Sequence, residues 1–199
     1  MKDQIYSAWA PRAGATLSLL ASAVLLKLII TKKRLGKLSW TDLKPNSRFI
    51  FMLSIIEALH SIAYMASTSA MPKETSPPIY GAAGDHSTCM VQGFFIQLGL
   101  ASPLYSMSLS VFYWLTICRG MTPLEFTAVK KVEPLLHGVS LLVPLITAAV
   151  CASLGLFEAR GSVCWIGAGQ RWYSFVFGGS IVLLFLHGLR VSDGEGHDE

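Results

Sequence analysis

Glu57 and His60 stand one helical turn apart inside an otherwise apolar run, RFIFMLSIIEALHSIAYMA. Wound as a helix, the run brings Ser54, Glu57, Ser61 and Met65 onto one face. A carboxylate in hydrocarbon is costly unless it is paired, protonated or hydrated, so it turns toward the interior of a helix bundle. The chemistry open to Glu57 there is that of an ion site or a conformational switch, with His60 as partner. The plainer reading is a protonated, hydrogen-bonded packing residue. Catalytic and metal chemistry have less to build on. His60, His137 and His187 fall in three separate apolar stretches with no H-x-x-x-H spacing, and the four cysteines form no C-x-x-C pair or Cys/His cluster. The expectation is no enzyme activity, no metal and no other cofactor.

What positions these residues is a membrane. Of 199 residues, 52% are hydrophobic and 14% charged, with mean hydropathy +0.51, a composition foreign to soluble domains. Roughly 20 apolar helical residues cross a bilayer core of about 30 Å. Five stretches qualify: 13–31, 49–70, 89–119, 132–156 and 172–189. The expected fold class is an all-α integral membrane protein with five transmembrane helices. The third stretch, CMVQGFFIQLGLASPLYSMSLSVFYWLTICR, is the longest and the most informative. Gln97, Leu104 and Ser108 lie together on a helical wheel, while Gln92, Ser102, Ser106 and Ser110 lie opposite. A side facing lipid would be purely apolar, so this helix is expected to be enclosed by others and bent at Pro103. Asn46 or Ser47, after Pro45, is expected to cap the second span, and Gly178-Gly179 would let the fifth pack closely.

Basic residues set the orientation. Residues 1–12 are short, mixed and polar, giving no cleavable signal peptide, so the first span is expected to act as an uncleaved anchor. Lys27 lies near the end of that span, where its stem can snorkel to the headgroups. Lys32, Lys33, Arg34, Lys37, Lys44, Arg48, Arg119, Lys130, Lys131 and Arg190 fall on one side; Lys2, Arg12, Lys73, Arg160 and Arg171 fall on the other. The excess places the N-terminal segment 1–12 outside and the tail 190–199 in the cytoplasm, with the plasma membrane as the expected location. The basic loop sits between two spans, which argues against a nucleic-acid partner. Cys89 and Cys164 then share the oxidising side and could be bridged there, with Cys151 as another partner; Cys118 is expected to be free. His137, near the inner end of the fourth span, is expected to be solvated.

A family resemblance is carried by these same residues. A cysteine opening the third helix, with a Cys-Trp after the fourth, resembles the seven-helix G-protein-coupled receptors, particularly the cyclic-AMP-receptor-like and secretin-like branches. The third stretch is similar to the C-x-x-Q-G-F-F-x-Q-L-G…P-L-Y-x-x-x-L-S-x-Y-Y-L-L pattern of receptor-like proteins found in diatoms, and Cys164-Trp165-Ile166 is similar to their Cys-Trp-Ile. The likeness covers residues 48–172, with Glu57 where the family carries aspartate and Tyr113-Trp114 as its aromatic pair. It implies a Cys89–Cys164 disulfide. It also implies a candidate ligand-binding or conformational set of Glu57, His60, Gln92, Gln97, Tyr105 and Trp165. Implied partners are a small-molecule ligand, a heterotrimeric G protein for a full-length form, and other receptors through homo- or hetero-association. The chain has no sequence for the family's sixth and seventh helices, so the expectation is a seven-helix bundle truncated after its fifth helix, with no retinal, that does not signal alone. The alternative is a small transporter or channel subunit with Glu57 lining a polar path, although no inverted repeat is evident.

Overall fold

A computed structural model of the chain describes residues 2–37, 39, 42–129 and 131–167. It is mostly helical, and four helical stretches among these residues are long and apolar enough to cross a membrane: Ile5–Leu35, Pro45–Ala70, His86–Ile117 and Val132–Ser153. They coincide with the first four expected spans. The fifth, 172–189, with Gly178 and Gly179, and the tail 190–199 lie outside the described residues.

The first helix, α1 (Lys2–Leu35), runs through the segment read as a polar N-terminal stretch. A tertiary contact anchors the extra turns: the Ser67 hydroxyl donates to the Ala8 carbonyl (2.9 Å), and Ala8 is buried. Most of α1 remains peripheral, with Leu17, Leu20 and Leu28 exposed as expected for a lipid-facing surface. The next helix, α2 (Pro45–Ala66), begins at Pro45 itself rather than behind an Asn46 or Ser47 cap. A proline at the first helical position lacks only an N–H that would have no partner there, so no side-chain cap is needed. A short 3-10 turn, Ser67–Ala70, follows. Ser67 takes φ +44°, and its hydroxyl and carbonyl are bound by three other elements.

The third span is the most enclosed, half of its most apolar window being buried against 28% or less for the others. It is interrupted at Gly99-Leu100 into α3 (His86–Leu98) and α4 (Ala101–Ile117). The cause still lies in the proline: Pro103 has no N–H for the Gly99 carbonyl, and its ring crowds that carbonyl. The break therefore appears one turn upstream. Asp85 caps α3, accepting the Thr88 N–H at 2.8 Å, while the Thr88 hydroxyl accepts the Asp85 N–H. These donors hold the Asp85 carboxyl below its ordinary range, so this cap is complete above that range and lost as pH falls.

The fourth span, α5 (Val132–Ser153), stops three residues before the expected end. Gly155, at φ +64°, donates to the Ala152 carbonyl, and the Leu156 N–H reaches Cys151. That pair of bonds with a left-handed glycine is the Schellman stop. The connection after the fourth span is then an antiparallel hairpin of β1 (Phe157–Arg160) and β2 (Val163–Ile166), pairing Phe157 with Ile166 and Ala159 with Cys164. Gly161, at φ +64°, opens its two-residue Gly-Ser turn. Among the described residues the fold is thus helical with one small β element.

The hairpin packs down on α3. A Cβ on Gly93 would lie 2.4 Å from Cγ of the buried Phe157 ring. Gly93→Ala should therefore destabilise the protein by about 2 kcal/mol, the usual cost of overpacking. The thermal midpoint in detergent reads this, and an unchanged midpoint would mean that the hairpin does not rest on α3.

Candidate functional site

Glu57 lies where three helices meet. The Ser18 hydroxyl of α1 donates to its Oε2 (3.2 Å), and the Ser102 hydroxyl of α4 donates to its Oε1. Ser102 can reach it because the Gly99-Leu100 break offers the first turn of α4 to α2. His60 lies against that break: a Cβ on Gly99 would fall 2.4 Å from its ring, so the glycine makes room for the imidazole. His60 in turn meets Tyr64 edge to face, with ring centroids 4.8 Å apart.

Glu57, His60 and Tyr64 border two cavities. One, of about 360 Å³, runs from Glu57 past the Gly99-Leu100 break to Val163 and Trp165 of the hairpin. The other, of about 250 Å³, lies toward Gly14 and Ser18 of α1. Trp165 is held from behind, its Nε1–H donating to Gln97 Oε1 at 2.9 Å, with the Arg160 guanidinium 5.9 Å from its ring centre. The structure therefore brings Glu57, His60 and Trp165 to one cavity.

Gln97 supports that cavity from outside its wall, and its amide also approaches the Thr147 hydroxyl of α5 (3.5 Å). Gln92 is not at the cavity. Its amide donates to the Ala63 and Ser67 carbonyls (3.0 and 2.9 Å), and its Oε1 accepts the Cys164 N–H (2.9 Å). All three bonds are buried, so Gln92 ties α2, α3 and the hairpin together. Beside it Cys89 and Cys164 form a disulfide, with Cα atoms 5.3 Å apart; Cys118 and Cys151 are free.

Tyr105 belongs to a second polar cluster, at the opposite end of the bundle. Its hydroxyl lies 3.5 Å from His137 Nδ1, and both rings surround Phe49, which stacks on the imidazole at 4.3 Å. His137 is therefore packed rather than solvated, because Phe49 covers its face. One turn before it, Glu133 pairs with Arg48 (2.9 Å) and accepts the Thr127 hydroxyl (2.6 Å). Sequence reading missed this cluster. In the sequence Arg48 reads as a loop charge, and its partner lies 85 positions away in the chain. The signal available was an acid, Glu133, at the start of an apolar span.

The arrangement around Glu57 offers hydrogen-bond acceptance, negative charge and aromatic walls. Glu57→Gln should keep one acceptor and add a donor for the two serines, lowering stability by about 1 kcal/mol. Glu57→Leu removes both and should cost two- to threefold more. Expression level and thermal midpoint in detergent compare them; equal tolerance would mean that the carboxyl group makes no structural contribution.

Among the described residues no three His, Cys, Asp or Glu side chains gather as metal ligands. Comparison with protein-family models finds no match, and neither does comparison with curated proteins.

Proposed function

We propose that this chain is a multi-pass membrane protein of the seven-helix receptor type, with the cavity between Glu57 and the hairpin as its ligand site. One observation carries the reading. The Cys89–Cys164 bridge and the Gln92 bonds hold the hairpin against a mainly apolar pocket, with Glu57 and Ser102 in its wall, among α2, α3 and α4. Such a pocket, largely pre-formed and lined by apolar and aromatic groups around a few polar ones, is the usual form of a small-molecule site. The cluster of Arg48, Glu133 and His137 at the other end is the element whose packing a bound ligand would bias. Orientation draws on two independent features. Lys32, Lys33, Arg34 and Lys37 extend from the end opposite the disulfide, which favours that end in the cytoplasm and the hairpin outside. Sequons engineered into 71–88 should be glycosylated and those in 32–44 should not; the reverse pattern would invert the topology.

The transporter or channel-subunit alternative draws on the same carboxylate, because Glu57 borders cavities on two sides. One experiment separates the two. The full chain is purified from cells under mild detergent, its co-purifying proteins are identified, and it is then sealed into vesicles loaded with proton- and sodium-sensitive dyes. The receptor reading expects a G protein or another receptor in the preparation and no flux above that of empty vesicles. Flux that disappears in Glu57→Gln would overturn it.

A further inference from the structure

We propose that the cavity between α2, the α3–α4 break and the hairpin binds a small organic cation, an alkylammonium with an apolar body, and that Glu57 is its counter-ion. The proposal rests on the ligand-site reading above and names the class of ligand.

Charge comes first. Among the described residues Glu57 is the one carboxylate on the cavity wall, and none of the lysines or arginines lines it. Its two hydrogen bonds come from neutral hydroxyls, those of Ser18 and Ser102. Among the described residues, none of the ion pairs reaches it; Arg48 and His137 serve Glu133 instead. Beside the carboxylate on the cavity wall the titratable base is His60, not a permanently charged lysine or arginine; burial penalises the anion, and a positive charge brought next to it offsets that penalty beyond what the two hydroxyl donors supply.

The walls narrow the class of cation. His60 and Tyr64 stand edge to face beside the carboxylate, Trp165 closes the hairpin side, and Ile96 and Leu100 are aliphatic. Aromatic faces with one carboxylate suit an ammonium carrying hydrocarbon, which gains from both the ring quadrupoles and apolar contact. A bare inorganic cation would need several oxygen ligands, and these walls supply few. Arg160 stacks on Trp165 but does not line the cavity, so its charge is not in the ligand's place. The volume, about 360 Å³, is at the small end of ligand pockets, the size range of a single-ring amine.

The test uses the full chain in lipid nanodiscs, with empty nanodiscs as reference, titrated calorimetrically with three probes of one shape. These are phenethylamine (cation), 2-phenylethanol (neutral) and phenylacetate (anion), each also measured with sodium varied against a large inert cation. The expected result is that the amine binds at least about tenfold more tightly than the alcohol, the scale of one charge-assisted bond, and that phenylacetate does not bind. Glu57→Gln should abolish the preference, with the ligand-free thermal midpoint lowered only by the few degrees that the stability loss given above implies. The comparison among probes on the unmodified chain stands even if that variant folds poorly. Equal binding of amine and alcohol would overturn the cation assignment and leave the pocket a ligand site. Glu57-dependent binding of sodium without amine binding would overturn it in favour of an inorganic ion. Binding of none of the probes would also overturn it, and would leave the receptor reading to the co-purification and flux experiment.

Discussion

Replacing Cys89 and Cys164 together by alanine should lower the stability of the protein by about 2–3 kcal/mol. The bridge spans a sequence separation of 75, for which the chain-entropy estimate is about 4 kcal/mol. That figure assumes a free unfolded chain. Here the loop contains apolar helices that stay in the bilayer or micelle when tertiary contacts are lost, so less freedom is regained. The hairpin also keeps the Gln92 and Gln97 bonds, which limit the loss further. Unfolding in detergent, with and without reductant, measures the effect. A reductant-insensitive midpoint in the unmodified protein would show that the glutamines alone hold the hairpin.

Arg48→Leu should be at least as damaging. The Arg48 and Glu133 side chains are 12% and 4% exposed and 2.9 Å apart. Removing one partner of a buried pair costs about 3–5 kcal/mol, because the other charge is left without compensation. Glu133 would retain the Thr127 hydroxyl and a 3.8 Å approach to His137 Nε2, which places the expected loss near the lower bound, about 3 kcal/mol. Glu133→Leu should cost somewhat less, since a long arginine at the start of α2 can bend its head toward water. The double variant Arg48→Leu/Glu133→Leu should recover much of the loss, because two apolar side chains remove the stranded charge. A double-mutant cycle in thermal midpoint is the measurement. Strictly additive losses would show that the pair is not coupled.

Much of the helical frame was legible because a bilayer imposes a length and a composition on whatever crosses it. The four described spans follow from runs of Leu, Ile, Val, Ala and Phe. The enclosure of the third follows from glutamines and serines on both its sides. Boundaries were less legible where backbone and tertiary effects compete. Gly155 as a helix stop and Gly161-Ser162 as a two-residue turn are sequence signals for the end of α5 and the hairpin, yet a run so rich in loop-forming residues reads equally as a loop. The interruption at Gly99 could be traced to Pro103 only once the Gly99 carbonyl was seen to accept the Ser102 N–H (3.0 Å) in place of the i+4 donor that the proline lacks.

By itself, the sequence determined that Glu57 must turn away from lipid, since transfer free energy is a property of the carboxylate and its surrounding run. It also determined that Cys89 and Cys164 fall at one end, since span count and loop charge order the chain across a membrane. Only the tertiary structure decided what each residue meets there. Gln92 and Gln97, alike in type and both in α3, part company because one faces the α2 terminus and β2 while the other faces Trp165 and Thr147. Tyr105 leaves the pocket to join His137 around Phe49, and Arg48 finds Glu133 from across the bundle. Partners so distant in the chain are set by how helices rotate and stack, and that depends on side-chain packing over the whole interface rather than on any local run.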